Sequence, residues 1–156
     1  MKISLIVVGR LRKGPEATLI EDYLLRFDRI GRNLGLGPAH VIEVEDKKGG
    51  GKAGEAALLA RALPDNATLV VLDERGKLLT SPEFSRKLSG WRDAGQRDLA
   101  FMIGGADGLD KSLLARADFK LSFGKMVWPH MLARVMLAEQ LYRGASILSG
   151  APYHRA

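Results

Sequence analysis

No cysteine occurs among the 156 residues. Disulfides, thiolate metal sites and cysteine nucleophiles are therefore excluded. Histidine is scarce too: three residues, too few and too scattered to spell a metal site, so no metal is expected. No apolar run approaches the roughly 20 residues of a membrane-spanning helix. The run Ile3 to Val8 is short and stops at Gly9-Arg10, so it reads as a strand and not a secretory signal. A cytoplasmic protein is expected. Internal repeats and linkers are missing, which predicts one domain over residues 1–156, long enough to bury about 70% of its unfolded surface. Long Lys/Arg runs are missing as well, yet the net charge is +6. That balance favours a polyanionic partner, nucleic acid first, over a basic protein without one.

What is present is an alternation of short apolar runs and helical patterns. Ile3 to Val8 is continuous and β-branched, as suits a strand covered on both faces. Gly14-Pro15 opens a helix with Leu19, Tyr23, Phe27 and Ile30 at helical spacing. His40 to Val44 reads as a second strand, Asp46 to Gly54 as a flexible polar loop, Glu55 to Leu63 as a helix and Ala67 to Leu72 as a third strand. Thr80-Ser81-Pro82-Glu83 starts a helix that runs towards Gly95. Leu99 to Ile103, Leu109 to Arg116, Phe119 to Phe123 and His130 to Leu148 follow as strand, helix, strand and helix. The pattern predicts an α/β fold with a mainly parallel sheet and helices on both faces.

Ligands of such sheets bind beyond the carboxyl ends of the strands. Three strand ends carry unusual residues: Asp73 to Lys77, Gly104 to Gly108, and Gly124 to His130. Gly104-Gly105 suits either a close backbone approach to a ligand or a tight strand-to-helix turn. The first strand end lacks G-x-G-x-x-G, which argues against a nicotinamide or Rossmann methyltransferase site. Gly49-Gly50-Gly51-Lys52 lacks the Ser/Thr of a phosphate loop and reads as a mobile loop. Asp73 and Glu74 read as solvated charges before a catalytic pair. His130, at a helix start, suits a neutral hydrogen-bonding group or a cap, and Arg134 follows one turn later on the same face. Both are candidates to meet substrate. Glu139 and Arg143 are spaced for an i,i+4 pair. The last helix is apolar on nearly every side, so it must be buried. A homodimer accounts for that economically, and a helix threaded through its own fold is the alternative. The chain then carries Tyr153, His154 and Arg155 in its last residues, which points to a site built there.

Taken together, Leu72-Asp73-x-x-Gly76-Lys77, Ile103-Gly104-Gly105-x-x-Gly108, Leu121-Ser122-Phe123-x-Lys125-Met126 with Pro129-His130, and Tyr142-Arg143 with Tyr153-His154-Arg155 carry a resemblance. The chain resembles the bacterial large-subunit rRNA pseudouridine N3-methyltransferase family, the small single-domain branch of the SPOUT methyltransferases. Each motif alone is weak; four in order over the whole chain are specific. The resemblance implies a trefoil-knotted α/β fold, a homodimer, and S-adenosylmethionine bound at Leu72, Gly104, Phe123, Gly124, Lys125, Met126, Val127 and Trp128. It implies a C-terminal tail closing over the site, and as substrate a pseudouridine in helix 69 of 23S rRNA, met in the assembled ribosome. Gly144 stands where relatives often have alanine, which costs about 1 kcal/mol in a helix unless close packing needs it.

Methylation at N3 requires loss of an imide proton from a base that is flipped or unpaired. His154 is the leading candidate for proton acceptor. Arg143 or Arg155 would stabilise charge developing on the base oxygens, and Tyr153 would stack on the base. A tail that only docks is the alternative. A non-enzymatic basic, ribosome-associated RNA-binding factor is the rival function, and it would bind no S-adenosylmethionine. A flavodoxin-like or nicotinamide enzyme is a third reading, disfavoured by the missing phosphate fingerprint.

Overall fold

The computed structural model describes residues 1–154. In chain order the elements are β1 (Lys2–Val8), α1 (Pro15–Gly31), β2 (Ala39–Val44), α2 (Gly51–Ala62), β3 (Thr68–Leu78), α3 (Ser81–Asp93), β4 (Asp98–Ile103), α4 (Lys111–Arg116), β5 (Phe119–Ser122) and α5 (His130–Ser149). Short 3-10 turns lie at Arg32–Leu34 and Pro152–His154. The five strands form one sheet in the order β2-β1-β4-β3-β5, and every pairing is parallel.

The continuous apolar runs are divided between two faces by the two-residue period of a strand. Ile3, Leu5 and Val7 of β1, Val70 of β3 and Leu99, Phe101 and Ile103 of β4 meet α1, α3 and α5. Ile6 and Val8, Leu69 and Val71, and Ala100 and Met102 point the other way, against α2 and α4. Both faces are thus covered, which is why these strands carry no polar alternation.

The helix start at Thr80 is a reciprocal cap. Thr80 Oγ1 accepts from Glu83 N–H at 3.2 Å, and the Glu83 carboxylate accepts from Thr80 N–H at 2.7 Å. Those bonds hold the Glu83 carboxyl below the usual carboxylate range.

Three elements depart from the expected pattern. α2 begins at Gly51, inside the stretch expected to stay a loop to Gly54. Positive φ at Gly49 and Gly51 turns the chain early, and Gly54 N–H already donates to Gly50 O at 3.2 Å. β3 continues to Leu78 instead of ending at Leu72. After a bulge, Lys77 and Leu78 pair with Leu121 and Ser122 of β5, a contact no local pattern encodes. Gly76 is what admits it: a Cβ there would sit 2.8 Å from the Lys120 carbonyl.

The third departure concerns α5. Its central residues Leu137 and Leu141 are fully buried within their own chain, so they offer nothing to a partner. The helix packs against both α1 and α3 over the sheet. Leu132, 41% exposed, and the half-buried Met131, Val135 and Met136 remain as apolar surface in its first half. Gly144 has a packing reason. A Cβ there would lie 3.0 Å from Leu88 Cδ1, and Ser85 Oγ donates to Gly144 O at 3.1 Å.

Candidate cofactor cleft and C-terminal cluster

A cleft of about 730 Å³ opens at the bulge of β3 and beyond the carboxyl ends of β4 and β5. Leu72, Gly104, Phe123, Gly124, Met126, Val127, Trp128 and His130 all line it. Lys125 belongs to the same loop but is exposed and does not line the cleft. Lys52, at the start of α2, and Asp73 to Arg75 complete the rim. The glycine-rich stretch around Lys52 thus reaches the cleft, which local composition alone did not indicate.

One wall depends on glycine. A Cβ on Gly104 would fall 2.6 Å from the Gly108 carbonyl carbon and 2.9 Å from Leu109 N. The turn therefore closes tightly, with Gly108 N–H donating to Gly105 O at 3.0 Å. The opposite wall is the loop after β5, tied at its root by Ser122. Gly124 N–H donates to Ser122 Oγ at 3.1 Å, and that oxygen lies 3.0 Å from Glu74 O. The β5 loop is thereby fastened to the β3 bulge.

Asp73 is less solvated than expected. Burial raises its pKa, but Arg75, donating from N–H at 2.8 Å and from the guanidinium at 3.3 Å, outweighs this and holds the carboxyl below the usual range. A carboxylate so held is a weak base. His130 begins α5 at the cleft edge, with Nδ1 buried and without a hydrogen-bond partner among the described residues. Burial, and then the Arg134 charge, lower its pKa and favour neutral imidazole.

Arg134 does lie one turn beyond His130, but it is not placed to meet a substrate. Only 1% exposed, it donates to the carbonyls of Val8 and Gly9 (3.0 Å to the latter) at the end of β1, with Glu43 at 3.7 Å. The residue ties α5 to the sheet. No period in the sequence marks it, because the partner carbonyls are some 125 positions away.

The tail residues form a second cluster. Tyr153 packs against Tyr142 at a tilt of 49° with ring centroids 4.4 Å apart, and its hydroxyl donates to Glu139 at 3.1 Å. Arg143 pairs with Glu139 at 2.8 Å and lies 5.1 Å from the Tyr153 ring centroid. The expected i,i+4 pair is therefore real and anchors the tail. Burial, with Tyr23 and Glu139, raises the Tyr153 pKa, so the phenol stays protonated. His154 closes the same turn, with Nδ1 buried and unpartnered among the described residues. Arg155 lies outside the described residues. Neither Arg143, Tyr153 nor His154 lines the cleft of its own chain. Between cluster and cleft runs an apolar groove of about 470 Å³, bordered by Tyr23 and Glu139 on one side and Leu121 and Phe123 on the other. No helix of the described residues is long and apolar enough to cross a membrane.

A parallel α/β sheet with a glycine-walled cleft at its strand ends is the arrangement in which folds of this class hold small organic ligands. A family model described as "Predicted SPOUT methyltransferase" matches residues 1–154, and the chain belongs to the SPOUT methyltransferase family. Curated relatives agree over the full length. A protein of Dinoroseobacter shibae is 70% identical over 99% of both chains, and one of Ruegeria pomeroyi is 67% identical over 99% of both. Each bears the name "Ribosomal RNA large subunit methyltransferase H". A solved structure, a probable methylase family protein from Haemophilus influenzae, superposes with a TM-score of 0.51 at 13% identity, covering 99% of this chain and 70% of that one. That likeness concerns the fold alone.

Proposed function

We propose that this protein is a cytoplasmic, single-domain S-adenosylmethionine-dependent methyltransferase acting on N3 of a pseudouridine in helix 69 of 23S rRNA, within the assembled ribosome. The trefoil-knotted arrangement of its class is part of the same reading. The observation that carries it is the cleft: the β3 bulge and the loops after β4 and β5, where the resemblance puts the cofactor, converge on one cavity. Its volume falls in the range of small-molecule sites. Gly104, where a Cβ would be blocked, offers bare backbone, and Leu72, Ile103 and Phe123 offer an apolar wall suited to adenine. The bound cofactor would supply an electrophilic methyl group.

This chain's own residues must orient the base and take its N3 proton. Asp73 is unsuited, held ionised by Arg75, and Tyr153, held protonated, suits stacking instead. His154 remains the proposed acceptor, and Arg143 or Arg155 would stabilise the developing negative charge. In one chain Arg143, Tyr153 and His154 stand apart from the cleft. We therefore propose a homodimer in which a second copy covers the apolar groove at Leu19, Leu78, Val135 and Met136 and brings its tail towards the cleft.

The test is tritiated methyl transfer to intact ribosomes, free subunits and naked 23S rRNA, with the product mapped by nucleoside analysis. Label on N3 of a helix 69 pseudouridine, greatest with intact ribosomes, is expected. Label in none of the three substrates would refute the reading. Ribosome binding without any S-adenosylmethionine binding would instead identify a non-enzymatic factor.

A further inference from the structure

The pair Gly76-Lys77 has no part in the cofactor cleft, yet β3 carries the chain straight from one to the other. Arg75 is on the cleft rim, and Lys77 lies two residues on, at most about 7 Å along the chain. There a second, open groove of about 440 Å³ begins, lined by Lys77, Leu79, Glu83, Arg86, Lys87 and Trp91. Lys77 and Arg86 are exposed, and none of its three cations forms a salt bridge among the described residues. The one acid, Glu83, is engaged by the helix cap at Thr80. Trp91 forms one wall. Trp91 meets Phe119 edge-on at 6.0 Å, and the Lys87 ammonium lies 4.6 Å from the Phe119 ring centroid. Lys120, the next residue of β5, is exposed on the edge strand and alternates to the other face of the sheet.

Three cations around a single carboxylate that a helix cap already engages, beside a tryptophan ring, fit a chain that alternates phosphates with planar bases. Edge lysines also deter strand pairing, but that accounts for Lys120 alone, not for cations on α3 flanking a tryptophan. Resting on the rRNA reading above, we infer that this groove binds the substrate RNA beside the base held at the cleft. Lys77 and Arg86 meet phosphates, and Trp91 receives a flanking base. The shared strand β3 sets the spacing between the two sites.

The test compares two double variants of the full-length protein. Lys77→Gln with Arg86→Gln empties the groove of two charges. Arg61→Gln with Arg116→Gln removes the same charge from exposed positions on α2 and α4, across the sheet. Ribosome co-sedimentation over a salt series is the primary readout. The groove variant should lower the slope of log affinity against log salt by about 1.4 to 1.8, the loss of two phosphate contacts. It should also raise the half-saturating ribosome concentration while leaving cofactor affinity and the saturated single-turnover rate unchanged. Trp91→Ala should weaken binding by roughly fivefold to a hundredfold, as the loss of one stacked base does. Since Trp91 is half-buried, the charge variants carry the decision.

Equal weakening by both double variants would mean that only net charge matters, and would overturn the inference. Unchanged binding by the groove variant would overturn it too. So would a changed oligomeric state of that variant in sedimentation velocity, which would assign the groove to a subunit contact. The wild type's methyl transfer is scored separately. Transfer intact with groove-independent binding sinks the groove alone. Groove-dependent binding with no transfer to any rRNA sinks the catalytic reading and leaves the groove standing.

Discussion

Gly104→Ala places one carbon where the backbone already is. Its Cβ would stand 2.6 Å from the Gly108 carbonyl carbon and 2.8 Å from its oxygen, where ordinary carbon contacts begin near 3.5 Å. The overlap is about 1 Å, and it falls on main chain, which cannot swing aside as a side chain can. Overpacking of this kind costs about 1–3 kcal/mol. For a chain of this length that lowers Tm by about 2–12 °C. The larger effect falls on ligand. Relief requires the Gly104 to Gly108 turn to move by about 1 Å, and a gap of that size forfeits a quarter to a half of each contact's dispersion energy. S-adenosylmethionine affinity should fall at least about tenfold, which is 1.4 kcal/mol. Gly95→Ala is the control. Its φ of +84° strains any side chain, but no atom lies within 4 Å of the new carbon, and the position is outside the cleft. It should lose about 1–2 kcal/mol of stability with cofactor affinity intact. Calorimetric titration and thermal unfolding of both variants make the comparison. Wild-type affinity in folded Gly104→Ala would refute the assignment of this turn as the cofactor wall.

Three further outcomes follow from the same geometry. His130 has its pKa lowered by burial and then by Arg134, so the unfolded chain binds that proton more readily. Its contribution to stability is complete above the ordinary value of about 6.5 and is lost as pH falls through the lower folded value. His130→Asn should flatten that part of the profile, and denaturant titrations from pH 7.5 to 5 that show no difference would contradict the burial argument. Met136→Asp, at the half-buried groove, should give monomers with impaired methyl transfer, whereas Leu137→Asp should simply unfold the chain, because Leu137 is 0% exposed. Sedimentation of the wild type as a stable monomer at micromolar concentration would remove the dimer from the reading. His154→Ala should lower the single-turnover rate about 100- to 10,000-fold with cofactor affinity retained, and a near-normal rate would reduce the tail to a docking element.

The local chemistry of this chain was written in its sequence because its causes are local. Apolar runs bounded by glycine and charge make strands, and Thr80 with Glu83 makes a cap, whatever surrounds them. The cleft residues after β4 and β5 were legible for a related reason: in a parallel sheet, strand ends necessarily share one edge. Other features rest on partners distant along the chain. The extension of β3 beyond Leu72 exists only because β5 pairs with it, and the burial of Arg134 only because α5 crosses the end of β1. The apolar surface of α5 could not by itself distinguish a subunit contact from its own core. Packing between α1 and α3 decided that Leu137 and Leu141 face inwards. The sequence by itself determined the elements, their parallel sheet and the loops that meet at the cleft, since hydrogen-bond geometry and periodicity act over a few residues. Tertiary structure alone decided which charges are buried, which cations stay free beside Trp91, and that the tail cluster stands apart from the cleft of its own chain, since those depend on which distant segments exclude water from one another.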